Sequence, residues 1–261
     1  MNLKNKNKPK ISLLLCVKNE AENIKKNFDW LDSCKTINEI IVVDDNSTDD
    51  TKKLSEKLES KNRTVKIFDR ELNNNFADQR NFGISKTTNK LVLWIDADEK
   101  PSNKLIVFLN NIDKHQYYNV SFKRDDIFLG KRLKHGETAN LKFIRLFNKN
   151  YGFFTGAVHE TWQSNENIID KNLTIFHYSH KTLKSFIQKI NFYSDIRAKE
   201  LFEQKRYVSL FHIIVYPVGK FIDNYFFKLG FLDSTAGIIM ALSMSLHSFL
   251  VRAKLWHLYQ K

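Results

Sequence analysis

Any fold for this chain has to accommodate the stretch LVLWIDADE, residues 91–99. Leu91, Val92, Leu93, Trp94 and Ile95 run unbroken and then give way to Asp96, Ala97, Asp98 and Glu99. A short apolar run rich in β-branched and aromatic residues reads as a strand buried on both faces. Three carboxylates at its carboxyl end are unfavourable unless something positive balances them, and a divalent cation, which prefers oxygen ligands, does so. In an extended chain Asp96 and Asp98 share one side, with the small Ala97 opposite. Read this way, the stretch is half of a site for a metal and a diphosphate. The bland alternative is the start of a surface loop.

The pattern has two precedents upstream. ISLLLCV, residues 11–17, ends in Lys18-Asn19-Glu20, and EIIVV, residues 39–43, ends in Asp44-Asp45-Asn46. VKIF at 65–68 supplies a further strand. Helical patterns fall between them. One covers 21–31, with Ile24, Phe28 and Leu31 on one face, and one carries Leu54 and Leu58. The second is capped by Ser47 or Thr48, with Asp49 and Asp50 in its first turn. A third spans 78–85. Strands alternating with helices predict an α/β protein with a doubly wound parallel sheet. In such sheets ligands bind at the carboxyl ends of the strands, where all three polar clusters fall.

Downstream, the sequence predicts a helix at 105–109, short strands at 120–124, 127–129, 142–148 and 173–178, and a long helix at 183–204. Gly152 and Gly156 bracket a turn-rich stretch that ends in AVHETW, residues 157–162. From Tyr207 the chain becomes apolar and aromatic. The run 231–251 approaches the ~20 residues that cross a bilayer. Asp233, Ser234, Thr235, Ser243, Ser245, His247 and Ser248 make it a poor span. It reads as an amphipathic helix at a membrane surface or as a helix that closes the core. The expected organisation is a tail at 1–10, a main domain at 11–205 and a helical, basic and aromatic region at 206–261.

Composition narrows the function classes. With 8 Gly and 3 Pro the chain is poor in the residues of a turn-rich all-β protein. Cys16 and Cys34 are too few for a disulfide framework and suit a reducing cytoplasm. The basic start MNLKNKNKPK is not followed by a signal-peptide pattern. Residues 171–261 hold 13 Lys+Arg against 5 Asp+Glu, so +8 of the formal +13 lies there and points to an acidic partner. Candidates are an anionic membrane surface, a phosphorylated glycolipid or nucleic acid, and no nucleic-acid motif is present. Nor is there a serine-hydrolase elbow, a P-loop, a CxxC pair or a GxGxxG turn after the first strand.

The segments CVKNEAENI, VVDDNSTDDT, FADQRNFGI and WIDADE follow one another in the order seen in family 2 glycosyltransferases of the GT-A fold, which the chain resembles. LKFIRLFNKNYGFFTGAVHETW and FHYSHKTLKSFIQKINFYS are similar to the lipopolysaccharide-core glucosyltransferase branch. The resemblance implies a GT-A-type, doubly wound, mostly parallel sheet with a helical C-terminal appendage. It implies nucleotide-sugar contacts by Glu20, Asp44, Asp45, Arg80, Asn81, Asp96 and Asp98. Of these, Asp44 and Asp45 would hold nucleobase and ribose, and Arg80 would pair with the diphosphate. Asp98 would ligate Mg²⁺ or Mn²⁺, helped by Asp96 and by His177, one of two histidines flanking Tyr178-Ser179. Glu99 would orient its neighbours, and Arg145 faces either the donor or solvent.

An inverting enzyme also needs a carboxylate that takes the proton of the acceptor hydroxyl. The acidic pair that family members usually carry beyond the DxD motif is replaced here by His159-Glu160. Glu160 is therefore the expected base, and His159 and Trp162 are expected on the acceptor side. The donor implied is UDP-glucose. The acceptor implied is a glycolipid or oligosaccharide such as lipopolysaccharide core, met by a cytoplasmic protein peripheral to the inner face of the membrane. Two other readings fit less well. A metal-dependent nucleotidyltransferase should have a Gly-rich basic loop after its first strand, where this chain has Lys18-Asn19-Glu20. A non-catalytic membrane-binding module leaves the ordered acidic clusters unexplained.

Overall fold

The structure, a computed structural model, describes residues 9–113, 119–139, 141–156, 160–180 and 182–260. Three apolar strands lie at its centre. β1 (Ile11–Val17), β2 (Ile37–Asp44) and β4 (Leu91–Trp94) are buried along almost their whole length. With β3 (Thr64–Asp69) they form the parallel arrangement β3-β2-β1-β4, so all four carboxyl ends emerge at one rim.

Alternation along these strands sorts the core into two layers. Leu13, Leu15, Ile40, Val42, Leu93 and Ile95 face one side. They meet α1 (Ala21–Asn27), a 3-10 turn (Asp29–Ser33), α2 (Thr51–Glu56) and α4 (Asn103–Asn110), through Ile24, Leu31, Leu54 and Leu105. Leu14, Ile41, Val43, Val92 and Trp94 face the other side and meet α3 (Phe76–Lys86) through Ala77 and Ile84. Burial on both faces is why these strands read as continuous apolar runs. Gly83 lets α3 settle close to the sheet, since a Cβ there would come within 2.9 Å of Val43 Cγ2.

Antiparallel strands extend the sheet beyond β4, in the order β8-β6-β11-β5, with β7 paired to β6. They are β5 (Glu99–Pro101), β6 (Asn119–Phe128), β7 (Lys131–Arg132), β8 (Lys142–Asn148) and β11 (Ile168–His180). The two short strands expected at 120–124 and 127–129 are thus one continuous strand. The turn-rich stretch expected around Gly152 and Gly156 contains a two-stranded sheet, β9 (Gly152–Thr155) against β10 (Thr161–Ser164). Their Phe154 and Trp162 pack with Trp94 and Phe147 in the α3-side layer.

The chain divides into two compact units. The first, Met1–Arg124 with Leu141–His177, contains the parallel strands and the β9/β10 pair. The second, Asp125–Asn140 with Tyr178–Lys261, contains α5 (Leu183–Glu203), α6 (Leu210–Ile222) and α7 (Ser234–Leu258). It takes in the long helix and a hairpin as well as the C-terminal region. Phe128, Leu133, Phe186, Ile190, Ala236 and Met240 form its main apolar cluster, and Ala198, Val208 and Leu255 a smaller one. The segment 231–251, read as either interfacial or core-closing, lies largely within α7, which packs against α5 and α6 in this unit.

The β9/β10 pair leads directly to Glu160 and depends on a glycine. A Cβ on Gly152 would meet the Gln163 carbonyl oxygen and lie 2.6 Å from the Trp162 ring. Gly152→Ala is expected to lower stability by about 1–3 kcal/mol, because a clash with backbone cannot be relieved by rotating a side chain. Urea denaturation followed by tryptophan fluorescence measures this, and an unchanged midpoint would show that the pair is loosely held.

Candidate active site

The acidic stretch after β4 does not continue as a strand. Glu99 N–H donates to Asp96 O at 3.0 Å, closing a turn through Ala97 and Asp98, and β5 follows at once. Asn27 Nδ2, at the end of α1, donates to Ala97 O at 2.9 Å and fixes this turn from the side. The alternation expected to keep Asp96 and Asp98 on one side therefore stops, and the two carboxylates take different partners.

Asp96 meets cations. Arg145 Nη1 and Nη2 lie 3.4 Å from its Oδ2, Arg80 Nη2 lies 3.9 Å from its Oδ1, and Trp94 Nε1–H donates to Oδ1 at 3.1 Å. Asp98 instead faces His177, with Nε2 3.4 Å from Oδ2. β11 brings His177 there by pairing it directly with Glu99 of β5. Asp96, given a metal contact from sequence, thus meets guanidiniums here, while Asp98 and His177, the other two residues of that assignment, lie together. Among the described residues no third His, Cys, Asp or Glu joins them.

Trp94 is the platform under this arrangement. The Arg80 guanidinium lies 3.5 Å from the indole centroid and that of Arg145 3.7 Å. Arg145, whose direction the sequence left open, is buried and donates to Glu99 Oε1 at 2.5 Å. Glu99 also accepts from Asp96 N–H at 3.0 Å. Burial first, and the Asp96 charge second, push the Glu99 carboxyl up to about 7 from its ordinary 4.5, while Arg145 opposes the rise. Burial brings Arg80 down to about 10, with Asp96 opposing and Arg145 adding to the drop, so Arg80 stays charged at neutral pH. Cys16, at the end of β1, has its thiol pushed up to about 12, chiefly by burial, and is a neutral packing group.

The other residues singled out from sequence are placed as follows. Arg80, in α3, ion-pairs with Glu160, which brings the expected base to the same rim as Asp96. Asp45 accepts from Lys18 Nζ at 2.8 Å and from Leu72 N–H at 3.0 Å. Asp44 is fully buried and accepts from Ser47 N–H at 2.7 Å. Glu20 accepts from Asn23 Nδ2 at 2.6 Å beside the start of α1.

Asn81 has a different employment from the donor contact expected. Its side chain donates to Phe154 O and accepts from Phe154 N–H, both at 2.8 Å, so it ties α3 to β9. Trp162, expected beside the acceptor, is core. It stacks on Phe147 at 4.0 Å and donates through Nε1 to Asn119 Oδ1 at 2.8 Å, which leaves no ring face for a sugar. His159 lies outside the described residues.

Among the buried polar atoms that have no hydrogen-bond partner within the described residues, Asp44 Oδ2 and Arg80 Nε belong to residues of this rim. Buried polar groups are nearly always paired, so an acceptor and a donor left open at one rim mark where a polar ligand would bind. Carboxylate and imidazole donors suit a divalent metal whose remaining positions are filled by water and phosphate oxygens. The residues present fit such a group. Sequence reasoning did not reach the Lys18–Asp45 pair or the role of Trp94, because neither a lysine after a strand nor a tryptophan ending one carries a distinctive pattern.

The sequence pattern of glycosyl transferase family 2 matches residues 12–182, well over half of the chain and the whole of the rim just described. The chain belongs to this family. As a family 2 glycosyltransferase it moves a sugar from a nucleotide-sugar donor. Its relatives agree. An uncharacterized glycosyltransferase of Rickettsia typhi is 29% identical over 97% of this chain and 88% of its own length. The lipopolysaccharide core biosynthesis glycosyltransferase LpsC of Rhizobium meliloti is 24% identical over 95% of this chain and 92% of its own. Among solved structures, the mannosyltransferase PcManGT from Pyrobaculum calidifontis, in complex with GDP-Man and Mn²⁺, matches with a TM-score of 0.55 at 14% identity. That match covers 98% of this chain and 89% of the mannosyltransferase. The fold of this family 2 enzyme is GT-A-like, a mixed α/β sheet followed by C-terminal helices.

The Arg145–Glu99 pair yields a test of the electrostatics. Because folding raises the Glu99 carboxyl above its unfolded value, the group favours the folded state most at low pH, and that contribution is lost as pH rises through about 7. Arg145→Ala removes the balancing charge and is expected to cost about 3–5 kcal/mol when Glu99 is ionised. The loss should be larger at about pH 8 than at about pH 6, where Glu99 takes up a proton. Urea titrations at both values check this, and a pH-independent loss would contradict it.

Proposed function

We propose that this enzyme is a metal-dependent inverting hexosyltransferase that takes glucose from UDP-glucose and passes it to a saccharide of the lipopolysaccharide core or a comparable glycolipid. The observation that carries the reading is the contact of Asp98 with His177 beside a rim where Arg80, Arg145 and Glu160 converge. The overall likeness to LpsC supports the acceptor class. The binding of Mn²⁺ by PcManGT supports the metal.

In this reading the nucleotide lies across the ends of β1 and β2, where the open oxygen of Asp44 and the Lys18–Asp45 pair meet its base and ribose. Asp98 and His177 would hold Mg²⁺ or Mn²⁺, which when bound neutralises the charge on the departing diphosphate. Arg80 reaches the diphosphate with a guanidinium already stripped of water and held over Trp94, so little reorganisation is needed. Glu160 takes the proton from the acceptor hydroxyl as its oxygen attacks the anomeric carbon. The bond from that carbon to the diphosphate oxygen breaks on the opposite face, so configuration inverts. Arg145 acts at one remove by holding Asp96 and Glu99, and with them the turn that carries Asp98. The basic charge of residues 171–261 suits an anionic bilayer and supports a position at the cytoplasmic face of the membrane that bears the acceptor.

Asp98→Ala should abolish Mn²⁺-dependent transfer while leaving the thermal midpoint of the free enzyme within a few degrees of wild type. Full turnover of this variant in excess EDTA would remove the metal from the reaction. Glu160→Gln should bind donor as wild type does and lose about 10²–10⁴-fold in turnover. A rate within a few-fold of wild type would put the base elsewhere. A panel of nucleotide sugars, screened by thermal shift with Mn²⁺, tests the donor. UDP-glucose should give the largest shift, and a larger one from UDP-GlcNAc or GDP-mannose would reassign it.

A further inference from the structure

In the second unit, α6 carries an apolar face that its neighbours leave open. Leu210 is 70% exposed and Phe211 65%, and Ile214, Val215, Val218 and Ile222 continue the same stripe at helical spacing. The stripe lengthens at both ends. Tyr207 precedes it at 79% exposure, and Phe227, in the π turn that follows, is also 79% exposed. No Asp, Glu, Lys or Arg occurs from Tyr207 to Gly219. Isolated exposed apolar residues need no explanation, but a continuous charge-free stripe of this kind marks an interaction surface.

We propose that α6 lies flat in the surface of an anionic lipid bilayer with this stripe inserted. The proposal deepens the membrane placement given above and rests on it. At 13 residues, or about 20 Å, α6 is too short to span a bilayer but suits an in-plane amphipathic element. Its flanks fit that position. Lys205 and Arg206 are exposed at its amino-terminal end, where they can reach lipid phosphates. At the other end Lys220 and Lys228 are paired with Glu137 and Asp223, so attraction to the membrane is concentrated on the first pair.

Beside Lys205 and Tyr207 the surface opens into an 840 Å³ hollow walled by Phe202, Trp256 and Tyr259. Tyr and Trp in such a place prefer the level of the lipid headgroups. α7 is the longer and overall apolar helix, and the stretch Gly230–Leu258 is long enough to cross a membrane. Its Ala236, Met240, Val251 and Leu255 are buried within this unit, and its Leu242, Leu246 and Phe249 are 55%, 37% and 41% exposed, less than Leu210 and Phe211 of α6, so α6 presents the more open apolar face.

The test uses the full chain and sedimentation with vesicles of phosphatidylcholine, alone or with about 30% phosphatidylglycerol. Wild type should sediment with the anionic vesicles, less with the neutral ones, and be released by alkaline carbonate. Phe211→Glu and Ile214→Glu together should lower the bound fraction at least tenfold while far-ultraviolet circular dichroism and nucleotide binding stay at wild-type values. Lys205→Glu with Arg206→Glu should remove the preference for anionic vesicles. Wild type that binds no vesicle would overturn the membrane placement itself. Wild type that binds equally well with both α6 substitutions would overturn only the assignment to α6. Resistance to carbonate would replace in-plane docking by a span through α7. A dimer in sedimentation velocity that Phe211→Glu dissolves would assign the stripe to a second copy of the chain.

Discussion

Gathering negative charge in a largely buried place is unfavourable, and this structure does so around one tryptophan. Asp96, Glu99 and Glu160 stand close enough to share the guanidiniums of Arg80 and Arg145, which both lie over the Trp94 ring. Each part needs the others. Without the arginines the buried Glu99 has no balancing charge, and without Trp94 the guanidiniums lose the ring that replaces part of their hydration. Beside this arrangement lies the Asp98–His177 contact. The rim thus holds carboxylates that pair with the arginines alongside Asp98, the one proposed to take a metal.

The rest of the first unit serves that arrangement. Parallel strands bring their carboxyl ends to a common edge, as ligand sites in open α/β sheets require. α3 delivers Arg80 because Gly83 allows close approach to β1 and β2. The β9/β10 pair reaches Glu160 and is tied to the same helix by the two-way bond between Asn81 and Phe154. β11 delivers His177 by pairing with β5, which exists only because the chain turns back at Asp96.

Much of this was legible in the amino-acid sequence, for an identifiable reason. Strands buried on two faces leave unbroken apolar runs, so β1, β2 and β4 and the acidic ends of β2 and β4 could be read directly. Less could be read where tertiary contacts decide. β6 continues through Asp125 and Asp126, which look like a break, yet both are buried and Asp125 pairs with Arg132 at 2.5 Å. β9 and β10 are four residues each, too short for alternation to stand out. The different fates of Asp96 and Asp98 follow from a turn that no residue type announces. Trp162 looked like a sugar platform because nothing local shows that Phe147 and Asn119 already occupy it. In the second unit, hydropathy alone singles out α7. Only packing shows that α6 leaves its apolar residues more open than α7, which buries Ala236, Met240, Val251 and Leu255 but still exposes Leu242, Leu246 and Phe249.

The account stands on Asp98 being the residue that turns this acidic rim into a metal-and-diphosphate site. Titration of Mn²⁺ into the enzyme, followed by the electron paramagnetic resonance signal of the free ion, addresses that directly. The account predicts weak binding of Mn²⁺ alone, much tighter binding with UDP present, and loss of the tight phase in Asp98→Asn but not in Glu160→Gln. Mn²⁺ binding that ignores UDP, or that survives unchanged in Asp98→Asn, would contradict it.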